Sequence, residues 1–387
     1  MQRRGAAPPF LRSLHTMNLL LLLSCWVFFQ ETQSISPDSV VNSLVPAGFP
    51  QPRVPLGLSD EKIQLGRALF YEGRLAIDGK TSCGSCHIQA LAFTDGRSTA
   101  IGATFQRHSL ATMSLTNVAY NASLTWANPA MTHLETQALV PLFNQSPVEM
   151  GLEGRLPEVL AMLASDDSYQ SLFQVAFPDQ PWPTLEQMTE AIASFQRTFL
   201  SFKSPFDALM MQDAQIPNRA EVLRGMSLFF SDALNCSKCH GGYNFSGPVV
   251  DQNEAGVPSF HHNGLLGQGP YQDEQKMAPG LAAHTGQARD WGKFRAPTLR
   301  NIAVTAPYMH NGMLATLDDV INHYQKGGQD RPYEGIAGKD HPNKSPFIKP
   351  FNLSGQQRRD LIAFLHSLTD LDFLTREDLG PPRSDCP

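Results

Sequence analysis

Apolar residues recur along this chain mostly at helical spacing and almost nowhere in strict alternation. Ile63, Leu65, Leu69 and Phe70 mark one apolar side. Ser59 is placed to cap that segment, Asp60 and Glu61 sit in its electropositive first turn, and Gly73 is expected to end it. Residues 156–164 carry a similar pattern. From 185 to 200, Leu185, Met188, Ile192, Phe195 and Phe199 recur at three- and four-residue steps, the signature of a core-facing helix. Further helices are predicted over 219–233, from a Thr316 cap to Gly327-Gly328, and over 355–368, where Leu361, Phe364, Leu365 and Leu368 are expected to be buried. The segments between are rich in Pro, Gly, Ser and Asn: an arm at 35–57, a stretch from 93 to 155, a crossover at 203–217 and a glycine-rich stretch at 241–292. The pattern predicts a mostly α, loop-rich fold. Long loops of this kind inside a compact domain usually serve a function.

The chain has 387 residues, 42% of them hydrophobic and 17% charged, enough to bury two cores. A net charge of -6 offers no basic footprint for nucleic acid. The N-terminus adds a targeting signal. Arg3, Arg4 and Arg12 precede an apolar run from Leu19 to Phe29 that is short for a spanning helix, so residues 1–34 read as an export signal. Leu22-Leu23-Ser24-Cys25 also resembles a lipoprotein cleavage site, although apolar residues continue past Cys25 and favour an ordinary signal peptide. The mature protein is expected in the periplasm, lipid-anchored if Cys25 is the acceptor.

Four of the six cysteines fall in two runs, Cys83-Gly84-Ser85-Cys86-His87 and Cys236-Ser237-Lys238-Cys239-His240. C-x-x-C-H is the attachment signal of a c-type haem. Two thiols on one turn reach the two vinyl groups of one porphyrin, and the adjacent His ligates the iron. A single C-x-x-C could instead serve zinc or redox chemistry, and four cysteines could form one zinc site. Two runs, each followed directly by His, point to two covalent haems c on His87 and His240. A helix precedes each run, which suggests an internal duplication. The implied organisation is an N-terminal haem domain at 58–205, a C-terminal haem domain at 206–375 and a tail at 376–387, with Cys386 in the tail.

With these runs placed, and with Phe294–Asn301 and Thr305–Gly312, the chain resembles the bacterial di-haem cytochrome c peroxidase family, which includes MauG, over about residues 55–370. Asn117-Val118-Ala119-Tyr120-Asn121, Leu124–Pro129 and Val148–Leu152 most resemble the MbnH-type enzymes, which oxidise a tryptophan of a copper-binding partner to kynurenine.

The resemblance implies roles residue by residue. Tyr324 occupies the place where the peroxidases carry a distal Met on the C-terminal haem. A hard phenolate there favours ferric and higher states, whereas Met favours ferrous iron. His323 is the rival ligand, about 100° away on the same helix. Ala103 stands where many peroxidases carry a distal His, so the N-terminal haem is expected to be five-coordinate and open to peroxide; His108 lies nearby as a substitute ligand. Glu149 matches the catalytic acid-base, with Glu135 as a rival. Gln137 and Pro141 match the pocket's Gln and Pro. Trp126 matches the inter-haem tryptophan, although Ala127-Asn128-Pro129 replaces the family's Asp-Gly-Arg. Thr305 and Pro307 match carbonyl ligands of a calcium ion between domains, whose Asn ligand has no obvious counterpart here.

The implied activity is oxidation of a residue, a Trp above all, of a secreted and copper-binding partner protein, through a high-valent state formed over both haems with H2O2. The competing reading is a peroxidase that reduces H2O2 with electrons from a small cytochrome c or cupredoxin. A plain electron carrier fits less well, because it has no use for Glu149 over an open iron.

Overall fold

The computed structural model describes residues 45–382 apart from 56, 213–214, 267–278 and 331–335. The export segment, Cys25, most of the 35–57 arm and Cys386 lie outside the described residues. The longer helices are α1 (Asp60–Phe70), α2 (Leu134–Phe143), α3 (Leu156–Ser165), α4 (Asp167–Ala176), α5 (Leu185–Gln196), α6 (Pro205–Gln212), α7 (Arg219–Phe229), α8 (Leu317–Gln325), α9 (Gly355–Ser367) and α10 (Leu371–Thr375), joined by loops and single helical turns. Strand content among the described residues is one two-residue pair: β1 (Phe260–His261) runs antiparallel to β2 (Phe294–Arg295), with Phe260 opposite Arg295. The mostly α expectation holds. None of the described helices is long and apolar enough to cross a membrane.

Each half is built on one helix pair held at glycine distance. In the first half α1 lies on α5, and a Cβ added at Gly66 would stand 1.8 Å from the Ala191 carbonyl oxygen. In the second, α7 lies on α9, and a Cβ at Gly225 would stand 2.0 Å from the Asp360 carbonyl oxygen. The two contacts share a register. Phe70 and Phe229 each follow their glycine by four residues, and Phe195 and Phe364 each follow the touched carbonyl by four. The ring centroids are 5.5 Å apart in the first pair and 5.1 Å in the second. Reciprocal capping boxes start the two partner helices, Thr184 with Gln187 on α5 and Ser354 with Gln357 on α9. The duplication suggested by helix-then-haem order is therefore a repeated packing unit.

Sequence reading missed α2, α4 and α6. Helix α2 contains Pro141, which forfeits its own backbone donor but leaves the helix standing. Leu134, Ala138 and Leu142, at four-residue steps, bury that helix. In α4, Asp166 caps, and Tyr169, Phe173 and Ala176 face inward. α1 also stops before Gly73: Tyr71 closes it, and Gly73 opens a separate turn.

A buried polar lattice joins the halves. Asn117 Nδ2 donates to Asn244 Oδ1 at 3.0 Å, and Asn117 Oδ1 accepts from the Ser201 amide at 2.7 Å. Ser201 Oγ reaches Asp370 Oδ2 at 3.0 Å, and Asn301 Oδ1 accepts the Asp370 amide at 2.7 Å. Every member has a partner, which is what makes such a network specify one arrangement. Beyond it the chain returns to the first half: Phe373, Leu374 and Leu379 pack into the core that holds Phe70 and Phe195.

Candidate functional site

Cys83–Cys86 forms one helical turn, with His87 as its C-cap. Gly84 is required there, because a Cβ would lie 2.3 Å from the Tyr71 ring, and Tyr71 is itself fixed by its hydroxyl donating to the Leu379 carbonyl at 2.6 Å. The second run, Cys236–Lys238, forms a tighter turn. Burial pushes the Cys83 and Cys236 thiols up to about 12. Among the described residues no three His, Cys, Asp or Glu side chains converge as a metal site, which removes the four-cysteine zinc alternative.

Both histidines are oriented alike. His87 Nδ1 lies 2.7 Å from the Phe93 carbonyl oxygen; His240 Nδ1 lies 3.0 Å from that of Pro297 and 3.3 Å from that of Phe245. A carbonyl can only accept, so each Nδ1 carries the proton and each Nε2 keeps its lone pair for a metal. Burial lowers both imidazoles, His240 to about 4, and keeps them neutral. Phe93 and Phe245 both adopt left-handed backbone, with φ of 61° and 48°. Bulky residues accept that conformation only where the surroundings enforce it. No sequence pattern announces it.

Two cavities adjoin these runs. The first has a volume of about 400 Å³ and is lined by Cys83, Cys86 and His87 together with Gln137, Pro141 and Glu149. Gln137 and Pro141 project from α2. Glu149 Oε1 accepts from Asn144 Nδ2 at 3.0 Å, and the Glu149 carbonyl accepts the Ala103 amide at 2.7 Å. His108 also lines this cavity. Its Nδ1 accepts the Leu110 amide at 3.1 Å, so its proton sits on Nε2, 3.9 Å from Glu149 Oε1. Ala103 is buried. Glu135 is bound by Arg197 at 2.8 Å and lies outside the cavity lining, which separates it from Glu149.

The second cavity, of about 200 Å³, is lined by Cys236, Cys239, His240 and Tyr324 within largely apolar walls. His323 is turned away: its Nε2 lies 2.9 Å from the Asn263 carbonyl oxygen. Burial first, and then the nearby Cys239 and Cys236 thiols, raise the Tyr324 phenol above its ordinary value. A phenolate there needs a cation such as ferric iron to offset it.

Trp126 borders both cavities. Its Nε1 donates to the Ala111 carbonyl at 2.8 Å. His310 meets it edge-on, with centroids 6.4 Å apart, and His310 in turn stacks on Phe294 at 3.7 Å. Phe294 also borders both cavities, a neighbour that periodicity did not single out. Thr305 and Pro307 lie outside both linings; Thr305 Oγ1 donates to the Ile302 carbonyl at 3.2 Å.

Each cavity therefore offers two thiols on one turn, a neutral imidazole with a free Nε2 and an apolar enclosure, a donor set suited to a covalent haem. The chain's relatives agree. Residues 60–215 match the family model described as di-haem cytochrome c peroxidase, CCP_MauG. The methylamine utilization protein MauG of Methylorubrum extorquens is 34% identical, covering 84% of this chain and 82% of that protein. The cytochrome-c peroxidase IdrP1 of Denitromonas iodatirespirans is also 34% identical, covering 85% and 88%. The crystal structure of a MauG-like protein associated with microbial copper homeostasis superposes with a TM-score of 0.81 at 38% identity, covering 87% of this chain and 98% of that one. The chain belongs to the di-haem cytochrome c peroxidase and MauG family of oxidoreductases.

Proposed function

We propose that this chain is an exported enzyme that carries two covalent haems c and uses H2O2 to oxidise a residue, a tryptophan above all, of a secreted partner protein. When bound, the haems supply peroxide activation and a store for two oxidising equivalents. Glu149 Oε1 takes the proton from the near oxygen of H2O2 and returns it to the departing oxygen. Gln137 orients the peroxide, and Pro141 shapes the wall beside it. Ala103 carries no ligating atom, so that position would supply no second ligand to an iron held by His87. Trp126 relays charge between the two sites. The balance closes with two electrons from the partner and two protons from solvent for each H2O2 reduced to two waters, the oxidised partner releasing its own protons to solvent. The substrate stays outside the pockets, since only electrons cross the intervening protein. A calcium ion held by the Thr305 and Pro307 carbonyls belongs to the same reading.

One observation carries this reading: Tyr324, at the position where the resemblance places the peroxidases' methionine, lines the second cavity beside Cys236, Cys239 and His240; Met309 also lines it, with its Sδ accepting from Asn263 Nδ2 at 3.3 Å. An anionic oxygen ligand favours oxidised iron and disfavours the prior reduction that a donor-driven peroxidase needs. A copper-binding partner is consistent with the structural relative associated with copper homeostasis. The second reading, reduction of H2O2 with electrons from a small cytochrome or cupredoxin, is supported by relatives named as cytochrome-c peroxidases.

The optical and EPR spectra of the diferric protein, before and after stoichiometric H2O2 without reductant, separate the two. Prompt loss of both ferric signals is expected. Inertness until the second haem is reduced sends the assignment to the peroxidase.

A further inference from the structure

Arginines buried in this molecule are, as a rule, paired. Arg300, 1% exposed, holds Asp207 through two bonds of 2.9 and 3.0 Å, and Arg197 holds Glu135 at 2.8 Å. Arg295 is the exception. It is 8% exposed, and no carboxylate among the described residues lies within ion-pair distance of it. Its Nε donates to the Thr125 carbonyl at 3.4 Å, and its Nη2 stands 4.0 Å from Met113 Sδ. Burial alone pushes the guanidinium down to about 10, with no neighbouring charge to offset it. Even so lowered, it is a full cation at neutral pH. A cation taken out of water without a partner costs several kcal/mol, so one that persists implies an anion delivered from elsewhere.

Its position says where that anion must be. Arg295 lines the second cavity, and that lining contains no Asp or Glu. Its backbone amide donates to the Trp126 carbonyl at 2.8 Å, and Thr125 and Met113, its other neighbours, line the first cavity. The guanidinium thus stands at the partition between the two sites, pinned by β2 on the strand side and by the Trp126 segment on the other.

We propose that Arg295 is the counter-ion of a carboxylate carried by the porphyrin of the second cavity, and that this pairing sets how readily that haem is reduced. The proposal rests on the reading that both cavities hold haem. A neutralised carboxylate leaves the porphyrin less negative, which favours the ferrous state. Without Arg295 the carboxylate is buried unpaired, stabilises ferric iron and lowers the potential.

The test is spectroelectrochemical titration of the full-length holoprotein with Arg295→Leu, Arg295→Gln and Arg295→Lys, alongside haem counting by pyridine haemochrome and thermal melts. In the two neutral variants the reduction equilibrium of the second haem is expected to move toward ferric by tenfold or more, ~59 mV for one electron. Arg295→Lys is expected to recover most of that shift. The Tm of the neutral variants is expected to fall, because a carboxylate loses its partner. An unmoved potential overturns the pairing, and so does a raised Tm, the result of removing a cation that had no partner. A shift that follows added phosphate assigns the anion to solution and also overturns it. Arg295→Gln keeps a donor for the Thr125 carbonyl and carries the test if Arg295→Leu does not fold. Fewer than two haems in the wild-type chain defeats the underlying reading; two haems with an unmoved potential defeat the pairing alone.

Discussion

The two cavities start from the same parts and finish differently. Both have a C-x-x-C-H turn, a histidine held through Nδ1 by a carbonyl, and a left-handed phenylalanine supplying one such carbonyl. The first is about 400 Å³ and admits Glu149, Gln137 and His108; the second is about 200 Å³, has no acid in its lining, and presents Tyr324. The shared scaffold fixes the metal-binding geometry, and the loops and helices that cover it decide the chemistry. Proton-handling groups belong where an oxygen bond is to be broken. In the proposed function, an apolar enclosure that presents Tyr324 suits the site where charge is held without further reaction.

Separating the cavities covalently gives the largest effect. Cys83→Ala with Cys86→Ala should remove the first haem and abolish the peroxide response, whereas Cys236→Ala with Cys239→Ala should leave a response that decays quickly; haem-stained gels and stopped-flow spectra read both. Equal loss of the response in the two variants breaks the division of labour. Next comes Glu149→Gln, which keeps shape but not basicity. It should slow the peroxide-driven spectral change by ~10²–10⁴-fold, with peroxide affinity little altered. An undiminished rate would pass the base role to His108, 3.9 Å away. Tyr324→Met makes the second site resemble that of a donor-driven peroxidase. Its potential should rise, and the oxidised state formed with H2O2 should shorten in life, which titration and decay kinetics measure.

Stability offers a sharper form of the same comparison, because the helix pairs should respond alike even though the pockets do not. Gly66→Ala and Gly225→Ala each force a methyl onto a backbone carbonyl, and each should cost ~1–3 kcal/mol in chemical denaturation. A loss in one half only denies that the packing unit is repeated. The smallest effect is a slope with pH. Burial, joined by His341 for His262 and by His262 for His310, pushes both imidazoles down to about 3. The folded protein keeps them neutral, while the unfolded chain takes up protons near pH 6.5. The stability they carry is complete above that pH and is lost as pH falls from there toward 3, by at most ~1.4 kcal/mol per pH unit for each. Replacing either by Gln should flatten the acid side of a Tm-versus-pH curve.

What the sequence disclosed follows from how locally each feature is encoded. The C-x-x-C-H runs, the Ser59 and Thr316 caps and the core stripe of α5 depend on neighbours within a few residues, so they were legible. The preference for Tyr324 over His323, and for Glu149 over Glu135, comes from the resemblance and not from periodicity, because the Asn263 carbonyl that turns His323 away and the Arg197 that binds Glu135 are both distant in the chain. Helix α2 was hidden among Pro, Asn, Gly and Ser residues, and it is secured by the burial of Leu134, Ala138 and Leu142 against distant parts of the chain. The left-handed backbone at Phe93 and Phe245 is imposed by packing on residue types that ordinarily avoid it. Arg295 read as one basic residue in a loop motif; only its burial without a carboxylate sets it apart.

The hydrogen bond from the Trp126 indole to the Ala111 carbonyl bears on wear. An amide oxygen is far too weak a base to keep the indole proton, even from an oxidised ring. In the proposed relay, electrons leave and refill this residue while its proton stays in place, so no acid or base has to reset it between turnovers. A residue that works next to strong oxidant is most at risk when it becomes a neutral radical open to oxygen. In the proposed function, a partner that accepts a bond but not a proton lets the same tryptophan serve repeatedly, while the lasting oxidation falls on the substrate protein.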